Sequence, residues 1–309
     1  MAVLQVEKVS KWYGKHCALN EVSLEVPEKG IFGLLGPNGA GKTSLIRIIN
    51  QITGPDSGRI FFRGEPLKPE HVNHIGYLPE ERGLYRKMKV GEQCLYLARL
   101  KGLSSADAKA RLKEWFERFE IGSWWDKKVE ELSKGMAQKV QFITTVLHQP
   151  GFIILDEPFS GFDPINTNLI RKEIIRLKDE GASIMLSTHN MASVEEICSH
   201  IALINQSKVM LDGEIKEVRS RFKESIFELS FKGQMLSFTN ALGTQFELLQ
   251  HSSDADLRLA RVKIKQGLTV NDLLQRAIPH VQIESVSEYI PSMNDIFIKV
   301  VEQPEEQMV

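Results

Sequence analysis

The octapeptide Gly36-Pro37-Asn38-Gly39-Ala40-Gly41-Lys42-Thr43 follows the apolar run Ile31–Leu35 and precedes Ser44 and the helical run LIRIIN. Its spacing is GxxxxGK[ST], and a strand before it with a helix after it is the context that gives this pattern meaning. Glycines let successive backbone N–H groups converge on phosphate oxygens, and the N-terminus of the following helix adds partial positive charge. In such a loop Lys42 would reach the outer phosphates and Thr43 would ligate Mg²⁺. Gly36, Pro37, Asn38, Gly39, Ala40, Gly41 and Ser44 complete the cradle. A glycine-rich turn without function is the plain alternative, and the flanking strand and helix argue against it.

Two further apolar runs end in the same way. Phe152-Ile153-Ile154-Leu155 runs into Asp156-Glu157-Pro158, and residues 183–186 run into Ser187-Thr188-His189. In open α/β sheets ligands lie beyond the carboxyl ends of the strands. Three strands that each deliver polar groups there predict a layered α/β domain with one shared site. Two carboxylates at a strand end suit Mg²⁺ chemistry. Asp156 would hold the ion, directly or through water, and Glu157 would polarise an attacking water as general base.

Working outward, residues 88–147 read as a mostly helical region. Ala108, Leu112, Trp115, Phe116 and Phe119 form one apolar stripe, and Met136, Val140, Ile143 and Leu147 form another. Trp115, Phe116, Trp124 and Trp125 fit a core better than a base-stacking platform. Asp163-Pro164 opens a further helix that Gly181 closes. Residues 201–204 and 209–211 read as a hairpin around Asn205-Gln206-Ser207-Lys208. The charged stretch VRSRFKES, residues 218–225, lacks a core stripe and sets a boundary, giving domains 1–218 and 219–309. In the second, Phe227, Leu229 and Phe231 alternate with polar residues, as do Val262 and Ile264, then Val281 and Ile283. Val270, Leu273, Leu274 and Ala277 form a helical stripe, and Ser292-Met293-Asn294-Asp295 has the spacing of a capping box. That is a small α+β domain with no nameable chemistry, ending in an acidic tail, EQPEEQ.

The chain has 309 residues, 39 basic and 40 acidic side chains and a net charge of −1, which excludes the basic balance of a dedicated nucleic-acid binder. It is 42% hydrophobic, enough for ordinary globular cores, and at about 150 residues per domain the length suits two of them. Cys17, Cys94 and Cys198 are scattered, without CxxC or zinc spacing, which points to a reducing compartment. His71 and His74 lack further ligands nearby. No apolar run approaches the roughly 20 residues that cross a bilayer, and the first residues lack a signal-peptide core. Membrane contact is therefore expected only through another protein.

With these motifs in order, residues 2–215 resemble the nucleotide-binding subunits of ABC transporters. Leu132-Ser133-Lys134-Gly135-Met136 resembles the family signature LSGGQ, departing from it at Lys134 and Met136. Ser133 can still cap a helix and Gly135 still permits close phosphate approach. The resemblance implies an ABC-type P-loop ATPase fold with a helical subdomain, and an aromatic, Tyr13, stacked on adenine, with Trp12 as its rival. It further implies Ser160-Gly161-Phe162-Asp163 as a loop between protomers and His189 as a contact of the γ-phosphate. Glu80, in Ile75-Gly76-Tyr77-Leu78-Pro79-Glu80, stands where the family usually has glutamine and is taken with Thr43 and Asp156 as a metal ligand. Lys42, Glu157 and His189 are the expected catalytic groups, and ATP and Mg²⁺ the expected cofactors. The implied partners are a second ATPase protomer, head to tail, with Ser133 and Gly135 of one facing the nucleotide of the other, and a separate polytopic permease. The implied location is the inner face of the cell membrane, and the implied direction is export. The remainder resembles the extension of sodium-extrusion-like and drug-resistance-like ATPases, chiefly through Pro291-Ser292-Met293-Asn294-Asp295-Ile296-Phe297. A soluble ABC ATPase of iron–sulfur assembly is the rival reading. Tandem translation factors would need two phosphate loops, and DNA-repair relatives would need long insertions between Lys42 and Ser133.

Overall fold

Parallel strands buried on both faces must be apolar throughout, and the three runs singled out above are such strands. In this computed structural model, which describes residues 1–81, 83–254 and 256–302, the first strand, β3 (Ile31–Leu35), sits inside a six-stranded sheet. Most of the acidic tail lies outside the described residues. Two compact units make up the fold, one of Met1–Ile215 together with the described residues from Val300 on, the other of Lys216–Lys299.

The first unit begins with two long antiparallel strands, β1 (Ala2–Tyr13) and β2 (His16–Pro27). After β3 come α1 (Lys42–Ile49), β4 (Ser57–Phe62), β5 (Glu65–Pro66) and β6 (Ile75–Leu78). The helical region holds α2 (Val90–Leu100), α3 (Ser105–Arg118) and α4 (Lys134–Val146). Then follow β7 (Phe152–Asp156), α5 (Pro164–Asp179), β8 (Ser183–Thr188), α6 (Met191–Ile197), β9 (His200–Asn205) and β10 (Lys208–Glu214). The main sheet has the order β10-β9-β3-β8-β7-β6, parallel except for the β9–β10 hairpin. A second, antiparallel sheet has the order β2-β1-β4-β5.

Alternation along each central strand divides the core in two. Phe32, Leu34, Ile154 and Met185 face α1 and the antiparallel sheet, where Leu45, Ile49, Val6 and Leu24 meet them. Ile31, Ile153, Leu155, Ile184 and Leu186 face the helices, meeting Val140, Ile143, Ile170 and Ile174. The expected stripe on α3 is buried throughout, and Phe142 of α4 is fully buried against the Trp115 and Phe119 rings, at centroid distances of 6.1 and 6.0 Å. Helix ends follow the expected chemistry. Asp163 accepts from the Asn166 N–H at 2.9 Å, Pro164 follows as the first helical residue of α5, and Gly181 turns the chain away at φ +103°.

The first half of the stretch read as a boundary is helical. α7 (Ile215–Arg221) occupies it, and Val218 is buried, so its charges are one face of a short helix. The second unit has β11 (Ile226–Lys232), α8 (Met235–Leu242), β12 (Phe246–Asp254), β13 (Leu257–Ile264), α9 (Val270–Ala277), β14 (Gln282–Glu288) and α10 (Met293–Glu302). Its antiparallel sheet has the order β12-β13-β11-β14. Leu229, Phe231, Ala260 and Val262 pack against Phe238, Leu242, Leu273 and Ala277 of α8 and α9. The capping box at Ser292 forms, with the Asp295 N–H donating to Ser292 Oγ and the Ser292 N–H to Asp295 Oδ2.

Because Phe142 ties α4 to α3 through two ring contacts, Phe142→Ala should cost about 3–5 kcal/mol of stability. Chemical denaturation of the purified variant measures this as a lowered unfolding midpoint.

Candidate active site

The carboxyl ends of β3, β8, β7 and β6 stand side by side in the sheet. Leu35 is level with Thr188, Asp156 with Ser187, and Leu78 with Leu155. Each strand therefore releases its polar successor onto the same rim. The phosphate loop follows β3, Glu157 follows β7, His189 follows β8 and Glu80 follows β6.

The loop has the shape its glycines permit. Gly36 has φ +147°, and a Cβ there would lie 2.1 Å from the Ile204 carbonyl oxygen of β9. Gly41 has φ +114°, and a Cβ there would lie 2.2 Å from the Ala18 carbonyl oxygen. α1 then starts at Lys42. The Lys42 ammonium turns back into the loop and donates to Gly36 O at 2.6 Å and Pro37 O at 3.0 Å. Burial pushes its pKa down, against the opposing pull of Glu157, Asp156 and Glu80.

Asp156 is only 3% exposed, and its Oδ2 has no hydrogen-bond partner. Burial raises its pKa, and the neighbouring Glu80 and Glu157 charges add to the rise. Glu157 occupies the left-handed region at φ +48°, a conformation costly for a residue with a side chain and typical of functional turns. Its N–H donates to Ser187 O at 2.9 Å. Its carboxylate accepts from Thr188 Oγ1 at 3.2 Å and from the His189 N–H at 3.0 Å, and lies 2.6 Å from His189 Nδ1. The Glu157 side chain is 13% exposed and that of His189 is 66% exposed, so the pair closes one wall of an open cleft.

That cleft, of about 340 Å³, is of a size suited to small ligands. Tyr13, Asn38, Gly39, Ala40, Gly41, Lys42, Thr43, Ser44, Glu80, Asp156, Glu157 and His189 line it. Gly36 and Pro37 are not on its surface; their carbonyls hold Lys42 instead. Tyr13 lines the cleft and Trp12 does not, which settles which of the two aromatics faces it. The Tyr13 end of β1 is fixed by Asp56, which accepts from the Trp12 N–H at 2.6 Å and from Lys11 Nζ at 2.9 Å.

Ser133 and Gly135 lie outside this cleft. Ser133 caps α4, accepting from the Met136 N–H at 3.3 Å, and is exposed. Beside it the Ser160–Asp163 loop packs on the same helix end: a Cβ on Gly161 would lie 2.4 Å from Lys134 Cε, and one on Gly135 would lie 3.6 Å from the Phe162 ring.

Four residues that sequence reasoning did not select also shape the site. His16 and Ala18 line the cleft opposite Tyr13, placed there by a hairpin whose pairing the sequence did not reveal. Thr188 holds Glu157, and its place next to His189 was the available signal. Gln141, buried on α4, donates to Pro79 O at 3.3 Å and to Glu81 O at 3.4 Å, holding the turn on both sides of Glu80. Nothing local in the sequence announces that contact.

Residues 19–160 match the ABC transporter family, and residues 213–301 match the C-terminal domain of DrrA1-3-like ATP-binding proteins. The uncharacterised ABC transporter ATP-binding protein YhaQ of Bacillus subtilis is 40% identical over 302 residues, covering 97% of this chain and 98% of its own length. The linearmycin resistance ATP-binding protein LnrL of the same organism is 28% identical over 308 residues, covering 96% and 98%. A solved structure of the ATP-binding subunit of an ABC transporter matches with a TM-score of 0.67 and 32% identity, over 71% of this chain and 93% of that one. The fold and site define a P-loop ATPase. The chain belongs to the ATP-binding subunits of ABC transporters, and ATP hydrolysis is its activity.

Gly36→Ala should place a methyl group against Ile204 O and displace the loop that holds Lys42. The expected result is loss of measurable ATP binding by calorimetry and a stability loss of about 1–3 kcal/mol.

Proposed function

We propose that this chain powers an exporter by closing, with a second copy, around two ATP molecules at the inner face of the cell membrane. The observation that carries the reading is the held carboxylate of Glu157 on the rim shared with the Lys42 loop. A carboxylate offers about four lone-pair directions. Thr188 and His189 take three, so one on Oε2 remains to accept a proton from an attacking water. With both ring nitrogens protonated, His189 would donate from Nδ1 to Glu157 and from Nε2 to a terminal phosphate oxygen. Lys42 and the loop N–H groups orient the phosphates, and Tyr13 offers an exposed ring face to the base.

The unpartnered, buried Oδ2 of Asp156 fits a role toward a divalent cation, and Thr43 lines the same cleft. Among the described residues no three His, Cys, Asp or Glu side chains form a ready-made metal cage. The remaining ligands of a Mg²⁺ ion would be phosphate and water oxygens, which is how that ion is usually held. When bound, it would supply charge neutralisation at the phosphates.

Ser133 and Gly135 do not line their own cleft; at a helix N-terminus, where backbone N–H groups attract phosphate, Ser133 is exposed and Gly135 half-buried. That placement supports the head-to-tail arrangement, in which they serve the nucleotide of the other protomer. No helix among the described residues is long and apolar enough to cross a membrane, so the transport path belongs to a separate permease in this reading. The resistance function in the name of LnrL and the DrrA-like domain support export. Neither comparison supports the iron–sulfur alternative. Residues 1–218 would carry the ATPase work and residues 219–309 would adjust dimer lifetime or coupling to the permease.

Glu157→Gln preserves shape but cannot accept the proton of water. It should keep ATP binding, lower turnover by about 10²–10⁴-fold, and elute as an ATP-dependent dimer in light scattering. Adding Ser133→Arg to this variant should leave each protomer binding ATP but abolish the dimer. Near wild-type hydrolysis by Glu157→Gln would remove the general-base assignment, and an unchanged dimer in the double variant would remove the shared site.

A further inference from the structure

Among the described residues, those that line the cleft carry more negative than positive charge. Glu80, Asp156 and Glu157 all line it and all act electrostatically on the Lys42 ammonium. Lys42 already spends two of its N–H bonds on Gly36 O and Pro37 O. A nucleoside triphosphate adds several more negative charges at the same place. Asp156 and Glu157 are explained by the reaction. Glu80 is not: it belongs to another strand end, it is exposed, and none of the hydrogen bonds described here fixes its carboxylate.

Its backbone, by contrast, is fixed. The buried Gln141 amide holds the carbonyls of Pro79 and Glu81, the residues immediately before and after it. The turn therefore keeps a carboxylate at the mouth of the cleft even though that side chain is solvated. The three carboxylates do not converge into a metal cage. They line the cleft of the phosphate loop without chelating on their own, and Oδ2 of one of them, the buried Asp156, lacks a partner. Such an arrangement repels a bare polyanion and favours one whose charge is reduced by a bound divalent cation.

We propose that Glu80 is a specificity-determining residue that makes this site select the divalent-cation complex of a nucleoside triphosphate and reject the free anion. The inference rests on the cleft being the nucleotide site. When the cation is absent, Glu80 adds one repulsive charge at the cleft mouth. When the cation accompanies the phosphates, the same charge becomes neutral or attractive toward the complex. The ratio of the two affinities is then set in part by one exposed side chain whose replacement should leave folding intact.

The test is calorimetric ATP affinity, at low ionic strength, in excess Mg²⁺ and in excess EDTA. It uses the full chain and its Glu80→Gln and Glu81→Gln variants, with the melting temperature of each as a folding check. Glu80→Gln should strengthen binding in EDTA by about three- to tenfold, the size expected of one partly screened charge. Binding in Mg²⁺ should change by less than that, so the Mg²⁺-to-EDTA ratio narrows. Added salt should shrink the difference. Glu81→Gln, one residue away and not lining the cleft, should leave the ratio as it is. An identical ratio for the full chain and Glu80→Gln overturns the proposal. So does an equal effect of Glu81→Gln, which would reduce it to net charge. Failure of the unmodified chain to bind ATP in Mg²⁺ would instead overturn the nucleotide-site reading.

Discussion

The ammonium of Lys42, bonded to Gly36 O and Pro37 O, is the contact on which the site depends. A buried ammonium is costly unless it is paired and hydrogen-bonded. Here the loop that positions it also supplies its acceptors, and the strand-end carboxylates supply the countercharge. For the two carbonyls to point inward, Gly36 must adopt a positive φ while its Cα passes against Ile204 O. That requires β9 beside β3, and the parallel order of the sheet provides it. The position of the loop is thus a property of the sheet as much as of the octapeptide.

Strand order decides what the ammonium faces. β8 and then β7 lie on the other side of β3, and the level register of Leu35 with Thr188 and of Asp156 with Ser187 brings their successors to the same height. Glu157 adopts a left-handed backbone there, a strain that persists only where the surroundings over-determine it. Its N–H bond to Ser187 O and the contacts of its carboxylate with Thr188 and His189 do so. A carboxylate held by this many neighbours is pre-oriented, and little ordering remains to be done when a water arrives.

α4 gives the site a structural connection to its helical region. Its cap is the exposed Ser133, its Phe142 lies in the core, and two of its glutamines reach the turns that follow β7 and β6. Gln138 donates to Pro158 O at 3.3 Å, next to Glu157, and Gln141 donates to the carbonyls around Glu80. One helix therefore touches both acidic turns and ends at the exposed Ser133, the surface proposed for the second protomer. A contiguous route of this kind is a physical means by which nucleotide and partner could bias the same helix.

The phosphate loop, the two carboxylates, His189 and the helical stripes were legible in the sequence because each is local. A strand buried on both faces is apolar along its length, a helix repeats every three to four residues, and a Gly-Lys-Thr step needs no distant residue to be recognised. The N-terminal sheet was not legible, although β1 and β2 are the longest strands. Their pairing shifts register around Lys8 and Glu21, both at positive φ, and each shift breaks the two-residue alternation by which strands are read. β12 escaped for the same reason, with a shift between Leu248 and Gln250. The charged run at residues 218–225 showed no stripe because the short helix that enters it buries only Ile215 and Val218, too few positions for a period to be read. Tertiary structure alone decided that Tyr13 and not Trp12 faces the cleft, that His16 and Ala18 join it, and that Gln141 holds the Glu80 turn. It also decided that Ser133 lies outside the cleft of its own chain. The sequence carries local periodicity and backbone chemistry, while these placements depend on which strands become neighbours and on where a turn between them points.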